Sequence, residues 1–178
     1  MPRFAPAVKV DNTRRFGATV VLEGDTFDDA RAHGLALANE RGFTVVHPYD
    51  DLAVAAGQGT IALEMLAAQP QIDTLIVAIG GGGLISGMAT AARAIKPGIE
   101  VYGVQTERFP AVWNAVHHGH RESGQATIAD GIAVKSPGAL TLPIIKERVK
   151  DVLLVSEDDI EQAILMLLEI EKTVVEGA

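Results

Sequence analysis

The chain has 178 residues, of which 48% are hydrophobic and 21% are charged, and its formal net charge is −8. These values are typical of a globular protein with a sizeable core, not of a disordered chain. An acidic chain without basic runs is a poor candidate for binding nucleic acid. The absence of cysteine excludes disulfides, thiolate metal sites and cysteine catalysis. We expect a cytoplasmic protein without a membrane partner, because no signal-peptide pattern or membrane-length apolar run is recognisable.

Hydrophobic periodicity and turn residues predict helices and strands that alternate along most of the chain. In chain order we predict a helix at 11–16, a strand at 18–22, a helix at 26–41, a strand at 43–47, a helix from about 59 to 68, a strand at 74–79, a helix at 84–95, a strand at 100–105, helices at 111–120 and 142–149, a strand at 152–155 and a helix at 156–175. This alternation predicts an α/β fold with an open, mostly parallel twisted sheet and helices on both faces. A boundary between two units is predicted near residues 48–51.

The most informative stretch is 73–96, where an apolar strand meets four consecutive glycines, Gly80 to Gly83, and a helix follows. Four residues without a Cβ let several backbone N–H groups converge on one point, and the helix dipole adds partial positive charge there. Open α/β sheets bind their ligands at the carboxyl ends of the strands. The pattern therefore predicts an anion site, above all for a phosphate, in preference to a simple tight turn.

Other kinds of site fit this stretch less well. No Gly-Lys-Ser/Thr follows the glycines, which excludes a P-loop, and the spacing of Gly81, Gly83 and Gly87 is one residue too long for a dinucleotide fingerprint. A nicotinamide cofactor stays as a weaker alternative, because Glu107 follows the next strand, where a ribose-binding acid would lie. Ser86 lies outside the G-x-S-x-G pattern of hydrolases, so a hydrolase that uses Ser86 with a histidine is a remote alternative.

Three further motifs are less specific. The A-G-Q-G-T segment at 56–60 fits a second close approach of backbones and a simple helix start equally well. The histidines within 117–120 are better interpreted as a solvated helix end than as a metal site, which would need converging ligands with outer support. Asp130 and Gly131 place an acid and a glycine in a loop, which alone indicates no particular chemistry.

Taken together, several segments resemble one enzyme family over nearly the whole chain. In order, they are HPYDDLAVAAGQGTIALEML, TLIVAIGGGGLISGMA, IADGIAV, VLLVSEDDI and EKTVVEGA. This combination resembles the threonine dehydratase and serine racemase family, which has the type II fold of pyridoxal-phosphate enzymes, also called tryptophan synthase β-like. The resemblance implies a lyase that eliminates water from threonine or serine to give a 2-oxo acid and ammonia, or a racemase of serine.

The resemblance also implies pyridoxal phosphate as the cofactor. The glycine loop would bind the phosphate through backbone amides, one further glycine would lie beside the pyridoxal ring, and one acid would lie near the ring. In this order, the residues concerned are Gly80, Gly81, Gly82, Gly83 and Leu84, then Gly131, then Glu176. The partners implied are a small amino acid or another phosphorylated ligand.

The chain departs from the family pattern where the chemistry would occur. The family's Schiff-base lysine lies in an S-F-K-x-R-G segment, which is not present in this sequence, and none of the six lysines has that context. The family's substrate-clamping loop and its S-G-G-N segment are not found either. Gln105 stands where some members carry a metal-site acid, so we expect no metal site. The catalytic residue is therefore unknown, and covalent attachment of the cofactor is not expected.

We therefore expect a truncated, middle-to-C-terminal portion of such an enzyme. Residues 1–47 would be a remnant of the small domain, and residues 48–178 the large cofactor-phosphate-binding domain, incomplete at its C-terminal end. An open sheet edge would favour a homo-oligomer. Elimination activity would be impaired without the lysine; the alternatives are a non-catalytic phosphate-ligand-binding or assembly module, and a repurposed hydrolase that uses Ser86 without the cofactor.

Overall fold

The structure, a computed structural model, describes residues 1–178 with the exception of the side chains at positions 27 and 28. The chain divides into two compact units, Met1–Val46 and His47–Ala178. The assignment of these units to the small and large domains of a longer fold stays a prediction.

The first unit contains two helices, α1 (Ala7–Arg15) and α2 (Phe27–Arg41). Helix α2 confirms the predicted bounds because its end signals are strong. Thr26 and Asp29 form a capping box at its start, and Gly42 ends it with a φ of 67°, in the left-handed region that glycine adopts easily. Helix α1 begins earlier than predicted, directly after Pro6, whose ring holds a φ that suits a helix start.

The predicted strands at 18–22 and 43–47 are wrong, because neither segment pairs with a strand anywhere in the described structure. Their valines favour an extended backbone, but a strand also needs a neighbour that accepts and donates its ladder hydrogen bonds. Val46 is 73% exposed, so this segment has no apolar face buried by the unit.

The second unit is built on three parallel strands, in the order β1 (Thr74–Ala78), β2 (Glu100–Thr106) and β3 (Asp151–Val155). Its helices are α3 (Leu52–Ala68), α4 (Gly83–Ile95), α5 (Ala111–His117), α6 (Thr141–Arg148) and α7 (Glu157–Glu169). A short 3-10 turn at Asp130–Ile132 lies between α5 and α6. The predicted α/β class with an open parallel sheet is confirmed.

One face of the sheet carries the core. Leu75 and Val77 of β1 point into it, and the buried side of α4, which includes Ile85 and Ala89, packs against them. On the opposite face Ile76 is 74% exposed and Leu153 is 47% exposed, so the described helices leave these two positions uncovered.

Several predicted bounds are corrected. Helix α3 starts at Leu52 instead of residue 59, because the Asp51 carboxylate accepts the N–H groups of Ala53 and Val54 and caps the helix there. Helix α5 ends at His117 because His118 takes a left-handed conformation. Helix α7 ends at Glu169, well before residue 175, and none of its residues is buried. Without tertiary packing, an apolar periodicity does not prolong a helix.

Candidate functional site

The glycine loop connects the carboxyl end of β1 to the first turn of α4. Gly82 precedes the helix with a φ of 98° and a ψ of 0°, a left-handed conformation that residues with a Cβ rarely adopt. A left-handed residue followed by a helical one turns successive N–H groups toward a common concavity. The first N–H groups of a helix have no intrahelical acceptor, and they carry the positive end of its dipole. The left-handed residue and the helix start on which the predicted anion site depends thus lie at the carboxyl edge of the sheet, and the anion site itself stays a prediction.

The other side of the loop is filled by the protein's own side chains. A Cβ on Gly81 would overlap the ring of Tyr49, and a Cβ on Gly82 would lie 2.7 Å from the Cδ1 atom of Ile145. Gly81 is therefore required by packing, and Gly82 is required by packing as well as by its backbone conformation. An anion would approach the loop from its N–H side, because the opposite side is occupied.

The Gly81 carbonyl is held by two donors from the start of α6. The Thr141 hydroxyl donates to it at 2.7 Å, and the Gly138 N–H donates at 3.2 Å. The Ser86 hydroxyl donates in turn to the Thr141 carbonyl at 3.2 Å. Ser86 is 1% exposed, and no described histidine hydrogen-bonds to it. A buried, donating hydroxyl without a base fits a packing role and argues against a hydrolase nucleophile.

Asp50 anchors the segment that carries Thr141. Its carboxylate accepts the N–H groups of Leu140 at 2.8 Å, Ala139 at 2.9 Å and Thr141 at 3.3 Å, and so caps α6 from a distant part of the chain. Burial alone would raise the pKa of Asp50, but these three backbone donors and nearby His47 hold the pKa below its ordinary value. Sequence analysis missed Asp50, whose only local signal was its place in the H-P-Y-D-D segment.

Two more predicted site residues lie together near the glycine loop. A Cβ on Gly131 would lie 3.5 Å from the Oε1 atom of Glu176, and a Cβ on Gly80 would lie 3.2 Å from the Cα atom of Ile132. The 3-10 turn therefore lies between the glycine loop and the chain's last residues. Leu84 is partly exposed at the start of α4. The structure thus brings together the cofactor contacts that the resemblance implied, although their role stays a prediction.

Glu157 holds the segment that leads into this turn. Its carboxylate accepts the hydroxyls of Thr127 at 2.6 Å and Thr106 at 2.9 Å and the N–H of Ile128 at 2.8 Å. Burial would raise the pKa of Glu157, but these donors, with Arg108 nearby, lower the pKa from its ordinary value of 4.5. The only sequence signal for Glu157 was its place in the V-L-L-V-S-E-D-D-I segment, because its partners come from two distant segments.

Replacing Glu157 by glutamine is expected to remove an acid-sensitive part of the stability. Because the folded-state pKa is lowered, the carboxylate stabilises the fold above its unfolded pKa, and that contribution is lost as the pH falls through the folded pKa. We expect a loss of about 1 kcal/mol in unfolding free energy at neutral pH, since the partly exposed carboxylate is screened by solvent. Urea unfolding from about pH 7 to pH 3 should show this difference shrinking with acidification.

The matched control is Asp158→Asn, on the exposed neighbour of Glu157 in the same helical turn. This variant removes the same charge without removing the three hydrogen bonds. A difference between wild type and Glu157→Gln that stays constant with pH would contradict the electrostatic role of Glu157.

The histidine segment at 117–120 lies at the end of α5, and His117 contacts neighbouring side chains there. The His117 Nε2 atom lies 3.0 Å from Asp151 Oδ1, and its ring stacks on Trp113. Buried Gln105 accepts the N–H groups of Val112 and Trp113 through its side-chain oxygen and thereby links α5 to β2.

Among the described residues, no group of three or more His, Asp or Glu side chains is arranged to hold a metal ion. No described helix has the length and apolarity that a membrane span requires.

Several lysines are engaged away from the glycine loop. Lys96 donates to the Ile72 carbonyl at 2.7 Å and lies at the far end of α4, about 20 Å from the loop at 1.5 Å per residue. Lys150 pairs with Glu100, at the amino end of β2. Lys172 donates to the Glu169 carbonyl. Lys96 and Lys150 therefore lie away from the carboxyl edge of the sheet, where the glycine loop lies.

Comparison with known proteins identifies the family. A family model described as pyridoxal-phosphate dependent enzyme matches residues 1–178. The chain belongs to this family. It is 46% identical over 180 residues to an L-threonine ammonia-lyase of Thermotoga maritima, covering 100% of this chain and 45% of that protein. It is 44% identical over 182 residues to the L-threonine dehydratase catabolic TdcB of Staphylococcus aureus, covering 100% of this chain and 52% of that protein.

Solved structures of this pyridoxal-phosphate family have the same fold. Maize serine racemase matches with a TM-score of 0.92 and 35% identity, over 99% of this chain and 54% of that chain. Threonine deaminase isoform 2 from Solanum lycopersicum matches with a TM-score of 0.92 and 36% identity, over 99% of this chain and 49% of that chain. The predicted family and type II fold are confirmed, and the chain spans about half the length of the relatives it matches.

Proposed function

We propose that this chain supplies the phosphate-binding part of a pyridoxal-phosphate site in a threonine ammonia-lyase-like enzyme. The observation that carries the proposal is the left-handed Gly82 at the start of α4, which turns unsatisfied N–H groups toward one concavity. A phosphate fits this arrangement because it is an anion with several acceptor oxygens, and the start of a helix favours negative charge.

The chain's own residues would act on the cofactor by binding and orientation. The amides from Gly80 to Leu84 would hold its phosphate. Gly131 and Glu176, which lie close together, would lie beside its ring. When bound, pyridoxal phosphate supplies an electron sink for the Cα of an amino acid.

Water elimination by this chain alone is expected to be impaired. Its sequence has no S-F-K-x-R-G segment, and Lys96 and Lys150 are engaged elsewhere. The same observation supports a second candidate, a non-catalytic module that binds a phosphorylated ligand. Exposed Ile76 and Leu153 on one sheet face support self-association into a homo-oligomer.

The proposal is tested by comparing pyridoxal phosphate with pyridoxal, which lacks the phosphate. Equilibrium dialysis of the whole chain should show saturable binding of pyridoxal phosphate that inorganic phosphate competes away, and much weaker binding of pyridoxal. Borohydride reduction followed by peptide mapping should show no lysine labelled in proportion to site occupancy. The physical reason is that phosphate–amide contacts, and not a covalent bond, would hold the cofactor.

Three results would test the proposal and separate the candidates. Equal affinity for pyridoxal and pyridoxal phosphate would contradict the phosphate cradle. A single lysine labelled in proportion to occupancy, and protected by inorganic phosphate, would contradict the expected impairment. Because both candidates are expected to release little ammonia, equal affinities for pyridoxal phosphate and inorganic phosphate would favour the non-catalytic module.

A further inference from the structure

We infer that Thr141, anchored by Asp50, is a positioning residue that orients the glycine loop for phosphate binding. The inference rests on the proposed phosphate site and deepens it, because it names the residues that keep the loop amides directed at the anion. Neither residue carries a predicted cofactor contact, and both belong to elements distant in the sequence from the loop.

The Gly81 carbonyl is the point where this network meets the loop. It accepts the Thr141 hydroxyl at 2.7 Å and the Gly138 N–H at 3.2 Å. In a planar trans peptide, the carbonyl and the following N–H point in opposite directions, and no cis peptide bond occurs in the described backbone. A Gly81 carbonyl directed at Thr141 therefore turns the N–H of Gly82 away from Thr141, toward the opposite side of the loop.

The orientation of the peptide between Gly81 and Gly82 needs a stabilising contact, because both residues are glycines. Glycine populates positive and negative φ about equally, so the peptide between Gly81 and Gly82 has little steric resistance to turning over. A reversed peptide would present a carbonyl oxygen where the N–H now lies, and that oxygen would repel a phosphate. The Thr141 hydroxyl stabilises the orientation that presents the donor.

Thr141 is itself held in place. It is 1% exposed, its carbonyl accepts the Ser86 hydroxyl, and its own N–H donates to the Asp50 carboxylate at 3.3 Å. Asp50 also accepts the two preceding N–H groups, those of Leu140 and Ala139. A Cβ on Gly138 would overlap Asp50 Oδ1, so a glycine there leaves room for the carboxylate. Asp50 thus fixes the helix start, and the helix start fixes the hydroxyl.

The decisive comparison is Thr141→Val against Thr141→Ser. Valine keeps the shape but removes the donor, whereas serine keeps the hydroxyl. We expect equilibrium dialysis to show inorganic phosphate and pyridoxal phosphate bound about tenfold more weakly by the valine variant and within about threefold of wild type by the serine variant. Thr60→Val is the matched control, since its exposed hydroxyl bonds to the Gly57 carbonyl within α3, and its affinity should be unchanged.

A second measurement tests the inference without any ligand. Backbone ¹⁵N–¹H spectra and amide hydrogen exchange of the free chain should show the resonances of Gly81, Gly82 and Gly83 shifted or broadened in Thr141→Val. The spectra of Thr141→Ser and Thr60→Val should resemble the wild type at these glycines. A merely structural role would move resonances throughout α6 and the core, not those of the loop selectively.

The outcomes distinguish this inference from the proposed function. Wild-type phosphate affinity and unchanged loop amides in Thr141→Val would overturn the positioning role. A wild-type chain that binds no phosphate would overturn the proposed function. The amide resonances of the loop glycines in Thr141→Val would still test whether Thr141 orients the peptide between Gly81 and Gly82. Should Thr141→Val fail to fold, Asp50→Asn provides the test, because asparagine keeps one acceptor oxygen. We expect this variant to bind phosphate more weakly and to show a shifted amide resonance of Gly82. Unchanged phosphate affinity and unchanged loop amide resonances would contradict the network.

Discussion

Replacing Leu84 by proline is expected to weaken the binding of inorganic phosphate and pyridoxal phosphate by about ten- to a hundredfold, since a hydrogen bond to a charged group contributes about 1.5–3 kcal/mol. Proline removes one N–H from the first turn of α4, where the N–H has no intrahelical acceptor. The helix itself should persist, because proline is tolerated in a first turn and the preceding residue, Gly83, has no Cβ for the proline ring to strike.

The control is Leu84→Ala, which removes the same partly exposed side chain and keeps the N–H. Isothermal titration with phosphate should separate the two variants, while circular dichroism should show equal helix content. Equal affinities of the alanine and proline variants would contradict an amide cradle at this position. A loss of affinity in both variants would assign the effect to the leucine side chain.

Replacing Gly87 by alanine is expected to destabilise the second unit strongly, by about 3 kcal/mol, because it overpacks a helix contact that leaves no space. A Cβ on Gly87 would overlap the carbonyl oxygen of Ala55 and lie 2.7 Å from the backbone nitrogen of Gly59. Both neighbours are backbone atoms of α3, so α3 and α4 would have to separate. Urea unfolding should show a lower midpoint with little change in slope.

The matched control is Gly57→Ala, two residues from Gly59 in the same helix. A Cβ on Gly57 has no atom within 4 Å, and the residue lies inside α3. We expect alanine there to stabilise the chain by about 0.5–1 kcal/mol, because it lowers the backbone entropy of the unfolded state. An equal effect of the two variants would show that the close approach of α3 and α4 does not limit stability.

The contact between α3 and α4 also decides how the A-G-Q-G-T segment is interpreted. From the sequence alone, a close approach of backbones and a helix start fitted this segment equally well. Gly59 is a close approach, since a Cβ there would lie 2.9 Å from the Gly87 carbonyl oxygen, whereas Gly57 faces open space. Neither glycine starts the helix, because Asp51 caps it earlier. The two glycines look alike in the sequence, and only the neighbouring helix distinguishes them.

The sequence predicted best those helices and strands whose starts and ends are marked by capping or turn residues. The strand, glycine loop and helix from β1 to α4 were predicted within a residue or two, as was α2 between its capping box and Gly42. The strands expected at 18–22 and 43–47 were wrong because valine-rich composition cannot supply a pairing partner. The length of α7 was overestimated for a related reason, since the described structure buries none of its residues fully.

The amino-acid sequence by itself determined the family and the parallel α/β class, and it located the glycine loop where an anion site is predicted, because the loop and its flanking elements depend on interactions between near neighbours. Only the tertiary structure decided what holds that loop in shape. Thr141 meets Gly81 across 60 residues, and Asp50 meets Thr141 across 91. Hydrogen bonds over such separations leave no local periodicity or end signal, and they form only when the packing of α3, α4 and α6 brings their partners together.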